Sequence, residues 1–131
     1  MIVEHKINPY PRTMWVVVGE DFDKIKSEFQ FVYESDSKMT NKKIVDEYDA
    51  IVFRVSKNNL AGFLVFIVTD NSNRTLVHEA LHVALYIYED CDMDLRPGMD
   101  QEPLCYLDEY IYSLIEADVQ KYKALGLIDN D

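Results

Sequence analysis

Residues 75–90, TLVHEALHVALYIYED, hold two of the three histidines of the 131-residue chain, four positions apart with a glutamate between them. At about 100° per residue on a helix, setting His78 to zero puts His82 near 40° and Glu79 near 100°. The rest of the circle, from Leu76 and Val77 round to Ile87 and Tyr88, is almost wholly apolar. The spacing therefore predicts a helix over 74–90, buried on most sides, whose polar stripe lines a cleft or meets partners inside, because an unpaired buried polar group is costly.

Two imidazoles one turn apart suit a divalent cation. Neutral His nitrogens bind Zn2+ at roughly 2.0–2.1 Å, and a glutamate between them can reach a metal-bound water. The residues that would do so are His78, Glu79 and His82, written HEALH. The competing reading is a pair of structural histidines with no metal. A catalytic zinc needs a third protein ligand and an open position, and no further His follows His82. Glu102, opening the next helix in MDQEPLCYL, is the expected third ligand, with Asp100, Cys105, Asp108 and Glu109 as substitutes.

Outward from this helix, the chain reads as one α+β domain over 1–131. TMWVVVGE (13–20) is β-branched and follows NPYPR, whose prolines discourage helix, so it is expected to be a core strand. Phe22, Ile25, Phe29 and Val32 recur at helical spacing behind Glu20 and Asp21, predicting an amphipathic helix. Residues 34–47 read as a loop with one helical turn at most. YDAIVFRVS (48–56) and GFLVFIVT (62–69) flank a turn carrying Asn58 and Asn59, predicting a β-hairpin. Asp70, Ser72 or Asn73 can cap the HEALH helix. A reversal at Pro97 and Gly98 then leads to a last helix from Asp100 to about Ala124, with Pro103 in its first turn. The expected fold is thus a small mixed or antiparallel sheet of about three strands, packed on the HEALH helix and a C-terminal helix.

Composition narrows the partners. A net charge of −11 and 24 acidic residues repel phosphate backbones and anionic lipids, so neither nucleic acid nor membrane is expected. Cys91 and Cys105 form no disulfide framework and no CxxC pair, which fits reduced thiols in the cytoplasm. The acidic run from Asp90 begins like a calcium loop but has Leu95 where a glycine is needed and Gln101 where a bidentate glutamate belongs.

A strand, a turn, VHEALH and then QEPLCYLDEYI resemble the zincin metallopeptidases whose third ligand is Glu, and more narrowly small phage and prophage zincin-like proteins of unknown substrate. The resemblance spans roughly residues 62–115. It implies His78, His82 and Glu102 as zinc ligands, Glu79 as general base, and Tyr106 beside them. Cys105 stands where a small residue is expected, and Tyr106 stands where thermolysin-like relatives carry Asp. The implied activity is hydrolysis of a peptide or protein substrate by zinc-activated water. Tyr106, Tyr110, Arg74, Arg96 and His5 are candidates to stabilise the oxyanion. The alternative is a phage-type accessory or binding protein with a structural metal site.

Overall fold

The computed structural model describes residues 1–68, 72–94 and 100–126. Its strands are β1 (Ile2–Lys6), β2 (Thr13–Val18), β3 (Gln30–Phe31), β4 (Ala50–Lys57) and β5 (Leu60–Ile67). They form one mixed sheet in the order β1-β2-β5-β4-β3. The β2–β5 pair is parallel and the other three are antiparallel. The α+β expectation holds, but the sheet has five strands where about three were expected.

Chain chemistry explains the central strands. Every residue of β2 is buried, as a β-branched run must be when both sheet faces are covered. The β4–β5 hairpin turns at Asn58 and Asn59, with φ of 52° and 65°. Consecutive left-handed residues are what a two-residue turn needs to match strand twist, and Asn tolerates them.

Two short helices, α2 (Glu34–Ser37) and α3 (Asn41–Glu47), occupy the segment expected to be mostly loop. The helix expected from Phe22 to Val32 is instead α1 (Phe22–Ile25), a 3₁₀ turn (Lys26–Glu28) and β3. Phe22, Ile25 and Phe29 are buried as their spacing suggested, whereas Val32 is exposed. Phe22 lies within 6.0 Å, centroid to centroid, of Phe31, Phe53 and Phe66, so aromatic packing on the sheet overrides helical continuity.

The sheet separates two apolar layers. One face carries Trp15, Val17, Phe53, Leu64 and Phe66 against α1 and α3. The opposite face carries Met14, Val16, Phe63 and Val65 against α4 (Asn73–Asp90) and α5 (Glu102–Ala124). Gly19, at φ +73°, reverses the chain after β2, and a side chain there would occupy the space of the Tyr122 ring on α5. His5 of β1 meets Asp118 of α5 at 2.6 Å, tying the sheet edge to that helix.

Ser72 caps α4, its Oγ accepting the Thr75 N–H at 3.4 Å. Of the other two expected caps, Asn73 is the first residue of α4 and Asp70 lies outside the described residues, as do Arg96 and the Pro97-Gly98 reversal. α4 ends at Cys91, where Asp92 takes φ 57° and the Met93 N–H donates to the Tyr88 carbonyl at 2.9 Å, a Schellman stop. The Glu102 N–H donates to Asp100 Oδ1 at 3.0 Å at the head of α5. Cys91 and Cys105 are both free. Among the described residues, no helix is long and apolar enough to cross a membrane.

Candidate functional site

The site grows from α4 and the start of β4. Leu76, Ala80, Val83, Ala84 and Ile87 point into the core and fix the rotation of α4. That rotation leaves His78 and His82 exposed and turns Glu79 inward, 6% exposed. Val77 and Leu81, expected on the buried arc, are 49% and 42% exposed and share the outer face with the histidines. The stripe therefore splits, with imidazoles outside and the carboxylate inside.

His78 and His82 meet edge-on, with ring centroids 4.7 Å apart and Nε2 to Nε2 at 3.1 Å. At that distance one ring donates and the other accepts, which two protonated rings could not do. The His82 pKa is lowered by desolvation first and by the charge of His78 second. The Glu79 carboxyl is pushed up to about 7 by burial. Among the described residues no hydrogen bond or ion pair reaches it. A cleft of about 320 Å³ opens here, lined by residues 47–50 on the strand side and by Arg74, Thr75, His78 and Glu79 on the helix side.

A second cluster, which the sequence reading missed, anchors the far end of α4. Tyr86 stacks between His82 and Phe63, at 6.0 and 5.8 Å, and the Arg54 guanidinium lies 4.3 Å from its ring centre. Arg54 also donates to Asp90 Oδ1 at 2.8 Å and pairs with Glu89 at 3.3 Å, while Arg12 Nε donates to the other Asp90 oxygen at 3.0 Å. An arginine within a strand otherwise rich in apolar residues was the available signal, since a half-buried guanidinium requires partners.

Of the other expected site residues, Arg74 lines this cleft, and the rest that are described on α5 are largely exposed. Glu102 is exposed in the first turn of α5, Cys105 is exposed, and Tyr106 and Tyr110 are 65% and 45% exposed. Among the described residues, no group of three or more His, Cys, Asp or Glu side chains could hold a metal ion.

Comparison with other proteins gives the chain a class that its motif did not. No protein-family model matches it, and no solved structure does. Among curated proteins, one relative is 34% identical over 73 residues, covering 56% of this chain and 83% of its own length, and it is a protein of the small ribosomal subunit. That relative is small ribosomal subunit protein eS17 of Sulfolobus acidocaldarius, and the chain belongs to the eS17 family.

This relationship overturns the zincin-like metallopeptidase, and with it both the hydrolase activity and the phage-type accessory alternative. The physical reason lies in information content. HEALH is five residues, three of them fixed by the motif, on a helix whose other positions need only be apolar, whereas the relationship rests on 73 aligned positions. The expected partners change as well. The same relationship contradicts the expected peptide substrate and the expected exclusion of nucleic acid.

Proposed function

We propose that the protein works as a component or close associate of the small ribosomal subunit, in the cytoplasm. The observation that carries this reading is the 34% identity over most of the length of an eS17 protein. With a net charge of −11, its surface as a whole repels phosphate. Contact with RNA is therefore local, and basic protein neighbours supply much of the rest. The best local candidates are Lys38, Lys42 and Lys43 on and beside α2 and α3. The Lys38 and Lys42 side chains are 73% and 89% exposed and held only by surface pairs of 3.5 and 3.6 Å. Such pairs contribute about 0–1 kcal/mol and release readily to a phosphate. Affinity purification of the tagged chain tests the reading. Small-subunit RNA and proteins are expected to co-purify, and their absence contradicts it.

A second reading, compatible with the first, is favoured by the histidine geometry. We infer that His78 and His82 take up a divalent transition-metal ion, zinc being the natural choice for two imidazoles. Their Nε2 separation of 3.1 Å is close to the roughly 3.3 Å spanned by two tetrahedral ligands at about 2.05 Å. Glu79 lies on the buried side of the helix and is not counted as a ligand, so water would fill the remaining positions. No activity is assigned to this ion.

A further inference from the structure

β3 covers the outer edge of β4 only in part. It pairs Gln30 with Ser56 and Phe31 with Val55, and its last bond is the Val32 N–H to the Arg54 carbonyl at 3.0 Å. The chain then turns away at Tyr33 into α2. Residue parity fixes what remains. The Asp49 carbonyl faces β5, where it accepts the Val68 N–H at 2.9 Å, and the Arg54 carbonyl faces outward. Odd residues of β4 therefore bond β5, and even residues point to the outer edge. The backbone groups of Val52 and Ala50 point outward, and on that side, among the described residues, no strand pairs with them.

That edge borders the cleft already described. Ala50 lines it, with Glu47, Asp49 and the unpartnered, buried Glu79 facing Arg74 as the single described cation. Exposed Val32, Tyr33, Val45 and Tyr48 stand on the segments that flank the strand. An unpaired strand edge is a template for an added strand, in which main-chain bonds give affinity and side-chain pockets give selectivity. Here the exposed Glu47 and Asp49 set two carboxylates against one guanidinium, so the complementary side chain is basic.

We propose that the Ala50–Val52 edge of β4 docks an extended, Lys- or Arg-bearing segment of a neighbouring protein, adding a strand beside α4. The identity of that neighbour as a basic small-subunit protein rests on the functional reading above, whereas the docking edge itself rests on the sheet.

The test uses the full chain and a fluorescent decapeptide of alternating Lys and Val, followed by anisotropy, with the Glu and Val counterpart as control. Val52→Pro removes an outward N–H, a change that edge strands tolerate, and Glu47→Lys with Asp49→Lys reverses the exposed charge. The expected result is binding of the Lys peptide alone, weakened at least tenfold by either change, with each variant melting near the wild type. A thermal melt identifies any variant that fails to fold, and the charge reversal then decides the matter. No Lys-peptide binding, or equal binding by the folded variants, overturns the proposal. So does a wild-type dimer that Val52→Pro converts to monomer, because the edge then serves a second copy. Failure to associate with the small subunit would instead defeat the functional reading and leave the peptide result intact.

Discussion

His78 and His82 point their Nε2 atoms at each other across 3.1 Å on the exposed face of α4. Glu79, between them in sequence, lies on the buried side of the same helix. One turn thus carries a surface imidazole pair and an interior carboxyl, and each has its own measurable consequence.

The imidazole pair predicts metal-dependent stability. A bound ion stabilises by mass action, by about 2.7 kcal/mol at a free concentration one hundred times the dissociation constant. Zinc added to chelator-treated protein is expected to raise the melting temperature of the wild type, while His78→Ala and His82→Ala abolish the rise. A zinc response equal in all three proteins contradicts the pair as ligands.

The interior carboxyl predicts a pH dependence of known sign. Glu79 has a folded pKa raised from 4.5 to about 7, so between those values the native state holds the extra proton. Its contribution is complete below pH 4.5 and is lost as pH rises through about 7. A shift of this size corresponds to at most about 3 kcal/mol. His82 acts in the opposite direction, its lowered pKa reducing stability as pH falls below 6.5. The Glu79→Gln difference therefore isolates the carboxyl. Urea unfolding of metal-free protein is expected to favour Glu79→Gln over the wild type by about 2–3 kcal/mol more at pH 8 than at pH 4.5. Parallel stability curves contradict the assignment.

Asp90 holds two arginines from different strand regions, Arg12 and Arg54. The Asp90 and Arg54 side chains are 17% and 15% exposed, so Asp90→Ala leaves half-buried charge without its partner. The expected loss is about 2–4 kcal/mol in chemical denaturation. Glu89 also pairs with Arg54 but is 71% exposed, and Glu89→Ala is expected to cost under about 0.5 kcal/mol. Equal costs would show that burial does not govern this network.

Gly19 combines a φ of +73° with contact against the Tyr122 ring. Gly19→Ala must strain the backbone and displace that ring, and is expected to cost about 2–4 kcal/mol. Gly126, at φ +72° with open space around it, carries only the backbone strain, so Gly126→Ala is expected to cost about 1 kcal/mol. Melting temperatures for the two variants check the order.

Helix α4 and the β4–β5 hairpin were legible because each shows one period over a long window and ends in residues that must turn, Ser72 in one case and the two asparagines in the other. The segment from Phe22 to Val32 was not, because Phe29 and Phe31 alternate as a strand while Phe22, Ile25 and Phe29 also fit a helix. Only the sheet face chooses between them. β1 was missed because Glu4, His5 and Lys6 hide an edge strand whose polar side chains find partners in Trp15 and Asp118. At the site, sequence placed His78, Glu79 and His82 on one stripe, but core packing set a rotation that separates them. Family membership could not be read from a short motif, since a helix this apolar needs few coincidences to produce HEALH.

Sedimentation of the untagged protein with ribosomal particles, in a sucrose gradient at low magnesium where subunits separate, tests the central claim most directly. The expected result is a discrete fraction migrating with the small subunit and absent from the large one, released as salt is raised. Protein confined to the top of the gradient at every salt concentration would contradict membership of the small-subunit particle.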